Sequence, residues 1–215
     1  MSEITPSGFT QPAIGTGPAP VRTGLLAERD FLEVRFGGTG EQGVILMGVV
    51  LAMAATLDHR YVAQTQTYGL GEREGYGHSD VIISDYPIDY PEIEGADLLL
   101  VLCQDAADGY MDLLRPSGIL IYEPDEVVAP PSFKGPTFGI PFNRLYSEVT
   151  GQSETAAEVL ALGAVAAITG VVSPVSLRKA VLSTVGAGVK GVNEKALARG
   201  LGLDSAEWRK DGTCS

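Results

Sequence analysis

VRFGGTGEQGV, residues 34–44, organises the chain together with the apolar run that follows it to Thr56. The stretch predicts a short strand, a glycine-rich turn and a long buried helix. Counted from Gly38, the glycines have the spacing G-x-G-x-x-G, which is typical of dinucleotide-binding turns. Backbone N–H groups and the helix dipole at such a turn favour an anion. The same glycines also suit a tight strand–helix turn without a ligand, and spacing alone leaves both interpretations open.

An acidic residue for ribose recognition is missing from its usual place. In nicotinamide-type sites this residue ends the second strand, about twenty residues after the glycines. Here the second strand is predicted over residues 61–65 and is followed by Gln66 and Thr67, whereas Asp58 lies before it. The sequence therefore does not support ribose recognition of the usual kind.

Composition and charge limit the classes of protein. Of the 215 residues, 45% are hydrophobic and 20% are charged, which predicts one globular domain. The formal net charge of −12 argues against nonspecific nucleic-acid binding. We find no signal-peptide order and expect no apolar run of membrane length, so we expect a cytoplasmic protein without a membrane partner.

The two cysteines, Cys103 and Cys214, lie far apart in the sequence. Without a Cys-x-x-Cys or His–Cys cluster, the chain cannot supply a four-ligand zinc or iron–sulfur site alone. We therefore predict no metal site. Cys103 falls in an apolar strand run and is expected to be a small buried side chain.

Apolar runs alternate with helical stretches along most of the chain. This alternation predicts an α/β fold, with a Rossmann-like, mainly parallel sheet flanked by helices and a helical C-terminal third. Three segments are predicted: an N-terminal arm (1–29), which orders on a partner or stays disordered, a single domain (30–203) and a C-terminal tail (204–215). The predicted strands cover residues 32–36, 61–65, 80–85, 97–103, 118–122 and 137–140. The predicted helices cover residues 44–57, 105–114, 142–150, 155–169, 174–184 and 192–199.

Residues 64–79 form an unusual stretch that is predicted to be a loop. It holds four glycines, two tyrosines, Arg73 and His78, and it has no core pattern. Such loops more often carry function than stability, although a mobile surface loop is the competing interpretation. His78 is weak evidence for catalysis because a general base needs a partner that sequence cannot show.

Several motifs together resemble one known family. They are GTGEQGV at 38–44, TYG at 67–69 with Arg73 and Gly75, SDVIISD at 79–85 with Pro87-Ile88, and ALGA at 161–164. Their order and spacing resemble the gamma subunit, or gamma domain, of the 2-oxoacid:ferredoxin/acceptor oxidoreductases. The resemblance spans about residues 33–201.

The resemblance implies a chemistry that is shared among several subunits. A 2-oxoacid is decarboxylated on thiamine diphosphate with Mg²⁺, electrons leave through [4Fe-4S] clusters, and the acyl group passes to coenzyme A. The implied partners are alpha, beta and ferredoxin-like delta subunits, with ferredoxin or an NAD-reducing protein as acceptor. The gamma chain is expected to bind no cofactor alone, to have no catalytic residue and to pack near the coenzyme A entrance. Which 2-oxoacid is oxidised stays open.

The candidate site residues on the coenzyme A side follow from these motifs. They are Gly38, Thr39, Gly40, Gln42, Gly43, Thr67, Tyr68, Gly69 and Arg73. Arg73 is the candidate for a phosphate or a partner carboxylate, and an intersubunit salt bridge is the alternative. The chain departs from the family at Glu41, where a glycine is usual, and a carboxylate there would repel a pyrophosphate.

Two other functions stay open at this point. One is an independent nucleotide-binding α/β oxidoreductase, which rests on the glycine-rich turn alone. The other is a purely structural scaffold subunit with no ligand of its own. An independent enzyme would be active by itself, whereas a subunit would expose a large apolar surface to its partners.

Overall fold

The computed structural model describes residues 22–67, 75–151 and 157–210. Four features of the sequence lie outside these residues: most of the predicted arm, the end of the chain after Lys210 with Cys214, the start of the helix predicted over residues 155–169, and the site candidates Tyr68, Gly69 and Arg73. The predictions made for them stay predictions.

Six strands form one mixed sheet in the described part of the chain. They are β1 (Phe31–Thr39), β2 (Tyr61–Thr67), β3 (Tyr76–Ser84), β4 (Ala96–Val101), β5 (Leu114–Tyr122) and β6 (Thr137–Gly139). Their order across the sheet is β2-β3-β1-β4-β5-β6. Only β3 runs opposite to the others, because it is antiparallel to both of its neighbours while the remaining pairs are parallel. The predicted mainly parallel sheet is confirmed.

Seven helices surround the sheet in the same residues. They are α1 (Val44–Leu57), α2 (Gln104–Tyr110), α3 (Phe142–Thr150), α4 (Ala157–Thr169), α5 (Pro174–Thr184), α6 (Lys190–Leu201) and α7 (Ser205–Trp208). The helical C-terminal third is confirmed. Ser173 caps α5: its side chain accepts a hydrogen bond from the backbone N–H of Ser176, and Pro174 occupies the first helical position.

Two neighbouring glycines of β1 show which helices cover each face of the sheet. A Cβ atom on Gly37 would meet Tyr110 and Ala106 of α2, whereas one on Gly38 would meet Gln42 and Val44 at the start of α1. Successive residues of a strand point to opposite faces. Helix α2 therefore covers one face, and α1, together with the helices packed on it, covers the other.

Helix α1 lies at the centre of the larger of two hydrophobic cores, on the face of the sheet opposite α2. It contacts β1, β2 and β3 on one side and α4 and α5 on others, which explains why its sequence lacks a polar stripe. Residues 40–57 are long and apolar enough to pass as a membrane span by length and composition, although Glu41 and Gln42 interrupt the apolar run. In this fold the segment is a core helix, with Met47, Leu51 and Ala54 fully buried.

Two glycines allow α4 and α6 to pack closely. A Cβ atom on Gly200 would lie 2.1 Å from the carbonyl oxygen of Leu160, and one on Gly163 would lie 2.8 Å from that of Leu197. Both contacts are with backbone atoms, which cannot move aside as a flexible side chain can. Only glycine fits at this helix crossing.

The structure corrects two boundaries near the glycine-rich stretch. Strand β1 continues to Thr39, so Gly37 and Gly38 are paired strand residues and not part of the turn. The predicted loop over residues 64–79 begins and ends in strand, because Thr67 pairs with His78 across β2 and β3. The sequence analysis missed the end of β2 and the start of β3 because both carry polar side chains. This end of the sheet is only half buried, so it lacks the apolar pattern used to predict strands.

Candidate functional site

A cavity of about 400 Å³ lies where three parallel strands end. Thr39 ends β1, Leu102 and Cys103 follow β4, and Glu123 follows β5. The carboxyl ends of parallel strands meet at one edge of an α/β sheet, where ligands usually bind. The remaining lining comes from the glycine-rich turn, the loop after β5, α3 and α4: Glu41, Gln42, Glu126, Phe142, Asn143, Ala157, Glu158 and Ala161.

Gln42 holds the turn to the neighbouring strand. Its side-chain oxygen accepts a hydrogen bond from the backbone N–H of Thr39 at 2.8 Å, and its Nε2 donates to the carbonyl oxygen of Leu102 at 2.7 Å. The amide thus joins the ends of β1 and β4 across the cavity wall. Gln42 has a structural role in this arrangement, whether or not a ligand binds beside it.

The start of α1 is already close to a carboxylate side chain. Gly43 adopts a left-handed conformation with φ 66°, and a Cβ atom there would lie 3.1–3.3 Å from the side-chain carbons of Glu158. Glycine is required both by this dihedral angle and by the approach of Glu158. The positive end of the α1 dipole favours a negative group, but Glu158 is half buried there, and burial disfavours its charged form.

Two of the cavity carboxyl groups are withdrawn from solvent. Glu123 is only 1% exposed, and it accepts hydrogen bonds from the backbone N–H groups of Asn143 at 3.1 Å and Asp125 at 3.2 Å. Burial raises the pKa of Glu123 despite these bonds, and burial also raises the pKa of Glu158. Both groups lie on the cavity wall, where they favour a neutral or cationic neighbour.

The cavity does not fit a phosphate group. Four carboxyl side chains line it, Glu41, Glu123, Glu126 and Glu158, and no lysine or arginine of the described residues does. A pyrophosphate at the turn would meet these charges in a partly buried site where repulsion is poorly screened. Among the described residues no group of three His, Cys, Asp or Glu side chains could hold a metal ion.

A second cluster lies on the other face of the sheet, beneath α2. Arg35 donates two hydrogen bonds to Asp80, at 2.7 and 2.6 Å, and its guanidinium lies 4.7 Å from the ring centre of Tyr110. Nδ1 of His78 lies 3.0 Å from the hydroxyl of Tyr110, and its Nε2 lies 3.6 Å from Asp80. Tyr76 packs edge-on against Tyr110, with ring centres 5.4 Å apart.

This cluster joins β1, β3 and α2. Burial lowers the pKa of His78, and the charge of Arg35 lowers it further. Burial raises the pKa of Tyr110 to about 12. His78 and Tyr110 are therefore both neutral near pH 7, and the cluster fixes the base of the β2–β3 hairpin by hydrogen bonds and ring contacts.

The structure brings some predicted site residues together and separates others. Thr39 and Gln42 line the cavity, and Gly40 and Gly43 lie in the turn beside it. Gly38 is a strand residue that directly precedes Thr39. Thr67 ends β2, and β3 separates it from β1, so it does not line the cavity. Whether any of these residues contacts coenzyme A stays a prediction.

Sequence reasoning missed most of the cavity wall. Cys103 is half buried and lines the cavity at the start of α2, which corrects its expected place inside a strand. Neither Glu123 nor Glu158 was predicted as a site residue, although Glu123 comes directly after a predicted strand. A search for polar residues at the ends of predicted parallel strands would have found Glu123; nothing in the sequence places Glu158 beside it.

Residues 33–203 match the model of the pyruvate ferredoxin/flavodoxin oxidoreductase family. The chain belongs to this family. The match covers most of the chain, including the turn, the sheet and the helical third. It confirms the resemblance inferred from the motifs, and the chain is a gamma-type subunit of a 2-oxoacid oxidoreductase.

Relatives in this family support the assignment, and the KorC subunits do so along most of their length. The chain is 38% identical over 171 residues to 2-oxoglutarate synthase subunit KorC of Methanocaldococcus jannaschii, covering 78% of this chain and 91% of that one. It is 37% identical to KorC of Methanothermobacter thermautotrophicus, covering 80% and 94%. Ketoisovalerate oxidoreductase subunit VorA of the latter organism is 33% identical over 92 residues, which are 43% of this chain and 19% of VorA.

Solved structures of the family have the same fold. The gamma subunit of a keto/oxoacid ferredoxin oxidoreductase from Geobacter sulfurreducens is 37% identical, with a TM-score of 0.75, covering 84% of this chain and 99% of that one. The 2-oxoglutarate:ferredoxin oxidoreductase of Magnetococcus marinus superposes with a TM-score of 0.73 over 86% of this chain and 32% of that one. Its 20% identity supports the fold alone.

Proposed function

We propose that this chain is the gamma subunit of a complex that oxidises 2-oxoglutarate to its coenzyme A thioester. The observation that carries the proposal is the match to KorC subunits, which are aligned over 91–95% of their length in three organisms. The VorA matches cover only about a fifth of those longer chains. The other 2-oxoacids are therefore secondary candidates.

The chemistry of the complex is assigned to other chains. Thiamine diphosphate with Mg²⁺ would supply the decarboxylation, and [4Fe-4S] clusters would carry the electrons to ferredoxin or an NAD-reducing partner. Two cysteines in the whole sequence are too few for a cluster with four cysteine ligands. We assign these groups to alpha, beta and ferredoxin-like delta subunits in the cytoplasm.

The role proposed for this chain is to pack against the catalytic core beside the entrance used by coenzyme A. The hairpin that contains Thr67, Tyr68, Gly69 and Arg73 is the part assigned to that entrance. The acidic cavity is an unfavourable place for coenzyme A, because four carboxyl groups there repel its phosphates. Arg73 on the hairpin, rather than the glycine-rich turn, is the residue proposed for a phosphate contact.

Affinity purification tests this proposal. Tagged full-length chain would be isolated from its native cells, and the eluate assayed for thiamine diphosphate, iron and the coenzyme A-dependent reduction of a viologen dye. We expect co-purified subunits and a kcat/KM for 2-oxoglutarate at least about tenfold above those for pyruvate and 2-oxoisovalerate. Preference for another oxoacid would overturn the proposed substrate and leave the assignment to a complex unchanged.

The two other functions predict different eluates. A monodisperse chain that purifies alone and binds a dinucleotide would support an independent enzyme and overturn the subunit assignment. A scaffold subunit would give an active complex in which Arg73→Ala leaves the KM for coenzyme A unchanged. We expect Arg73→Ala to raise this KM about tenfold with little change in kcat, because a phosphate contact distant from the reacting atoms stabilises substrate and transition state alike.

A further inference from the structure

A loop at one end of the sheet joins β3 to β4. Residues 85–95 connect Ser84, the last residue of β3, to Ala96, the first residue of β4. Because β1 lies between these two strands, the loop crosses the start of β1. The cavity lies beyond the carboxyl ends of β1, β4 and β5. The loop and the cavity therefore occupy opposite ends of the sheet.

Hydrogen bonds near both ends of this loop fix it to the fold. The N–H of Asp85 donates to the carbonyl oxygen of Asp30 at 2.8 Å, directly before β1. The N–H of Glu94 donates to the side chain of Glu33 at 2.7 Å. Glu33 is itself buried and paired with Arg115. Because the loop is already held in place, little conformational entropy is lost when a partner binds it.

Three aromatic side chains are exposed at this end of the sheet. Phe31 is 43% exposed, Tyr86 64% and Tyr90 58%. Phe31 pairs with Ser84, two residues before Tyr86. The hydroxyl of Tyr90 donates to Glu92 at 2.6 Å. Exposed rings on an ordered segment are typical of the centre of a protein interface, because each ring buries a large area when a partner covers it.

Negative charge surrounds these rings. The loop contains four carboxyl side chains and no lysine or arginine. One of the four, Asp85, is paired with the buried guanidinium of Arg60 at 2.5 Å. The guanidiniums of Arg29 and Arg115, at the same end of the sheet, are both paired with Asp97. The ion pairs of the described residues therefore leave three carboxylates of the loop without a cation.

The exposed rings and these three carboxylates form one surface, which we call the β3–β4 surface: Phe31, Tyr86, Tyr90, Asp89, Glu92 and Glu94. We propose that this surface docks another subunit of the oxidoreductase complex, one that presents lysine and arginine side chains around apolar pockets. The rings fill those pockets and set the dissociation rate, whereas the carboxylates attract the basic partner and speed association. The docking requires that the chain belongs to a multisubunit enzyme, as proposed above, but it is independent of the oxoacid and of the coenzyme A entrance.

Other occupants match the charge of the β3–β4 surface less well. A two-fold contact between two copies of the chain would place the same carboxylates opposite one another. Nucleic acids and anionic lipid headgroups carry phosphates that these carboxylates repel. Residues 1–21 of the chain itself contain no lysine or arginine. A basic protein surface is the occupant that neutralises the unpaired charges.

Retention of partner subunits by the tagged full-length chain tests this docking. The complex would be purified from native cells and held on resin through the tag, and the release of each subunit followed over time at fixed salt. We expect Tyr90→Ala to release one subunit at least about tenfold faster, because truncating a buried ring at an interface mainly raises the dissociation rate. Tyr90→Phe keeps the ring and is the matched control, with release at the rate of the unmodified chain.

A charge reversal tests the electrostatic contribution separately. Asp89→Lys should slow reassociation of the same subunit about tenfold at low salt and reduce the dependence of that rate on salt. Glu207→Lys makes the same charge change at an exposed residue of α7 and should leave the rate unchanged. Carbodiimide treatment of the unmodified complex should link Asp89, Glu92 or Glu94 to a lysine of that subunit.

Three results would overturn the docking. An active complex that releases and rebinds its subunits equally with Tyr90→Ala, Asp89→Lys and the unmodified chain would refute it and keep the subunit assignment. Cross-links between two copies of the chain would assign the surface to a second copy. A chain that purifies alone would refute both the docking and the subunit assignment. Circular dichroism checks that each variant folds, and Asp89→Lys, at an exposed residue, tests the docking even if Tyr90→Ala does not fold.

Discussion

The guanidinium of Arg35 on β1 forms a two-bond ion pair with the carboxylate of Asp80 on β3, at 2.7 and 2.6 Å. The two residues face each other directly across the antiparallel ladder. Their side chains are 14% and 6% exposed, so solvent screens the pair poorly. The ring of Tyr110 covers the guanidinium from α2. The ion pair thus links the reversed strand β3 to β1 in the middle of the sheet.

Arg35→Ala should destabilise the fold by about 3–5 kcal/mol, because it leaves Asp80 buried without its charge partner. Urea unfolding followed by circular dichroism measures this loss. Arg178→Ala is the control, since it breaks an ion pair with Glu194 on exposed surfaces of α5 and α6 and should cost at most about 1 kcal/mol. Similar losses for the two variants would contradict the structural importance of the Arg35–Asp80 pair.

Gly200→Ala should separate α4 from α6 and cost about 3 kcal/mol, since the added methyl group meets the backbone of Leu160. Gly191→Ala, in the same helix, has no neighbouring atom within 4 Å. It should stabilise the chain by about 0.5–1 kcal/mol through its better helix propensity. Thermal unfolding of both variants measures the difference, and a stable Gly200→Ala chain would argue against this close helix crossing.

Glu158→Gln should stabilise the fold at neutral pH and have a much smaller effect near pH 4. Burial raises the pKa of Glu158, so the folded state holds this proton over a pH range in which the unfolded state has lost it. The fold therefore loses stability as pH rises from the ordinary glutamate pKa through the raised value. Urea unfolding between pH 4 and 8 measures the effect. The exposed Glu28→Gln is the control, and equal pH profiles would contradict the prediction.

His78 should titrate below its ordinary pKa of 6.5 in the folded chain. The unfolded state then binds more protons than the folded state, so the contribution of this residue to stability falls as pH drops through 6.5 toward the lowered value. Nuclear magnetic resonance of the imidazole, in buffer and in urea, compares the two states. His78→Gln should reduce the loss of stability in this range, and a pKa at or above the urea value would refute the burial of His78 beneath α2.

The sequence predicted the parallel strands more accurately than the reversed one. Continuous apolar runs such as LLLV at 98–101 identify strands that are covered on both faces. Strand β3 begins at Tyr76 among glycines and polar residues, and its first residues are held by the Arg35, Asp80, His78 and Tyr110 cluster. Contacts between residues 32 to 75 positions apart stabilise this end, and a local pattern cannot contain them.

The site shows a similar division. The spacing of Gly38, Gly40 and Gly43 correctly located a strand, a turn and a helix, but it suggested an anion. The cavity wall favours a neutral or cationic group instead, because Glu123 follows β5 and Glu158 lies on α4, 80 or more residues along the chain. Spacing reports the backbone that a turn requires, whereas the charge beside the turn depends on which distant elements pack there.

By itself, the sequence determined the α/β class, the main helices and the family of this protein. Apolar periodicity, helix caps such as Ser173 and the order of short motifs are local properties of the chain, and each can be recognised before folding is considered. Only the tertiary structure decided the reversed direction of β3, the acidic character of the cavity and the position of β2 at an edge of the described sheet. Strand order and the meeting of charges depend on contacts between residues far apart in the chain, whose free energies appear only when the whole fold brings them together.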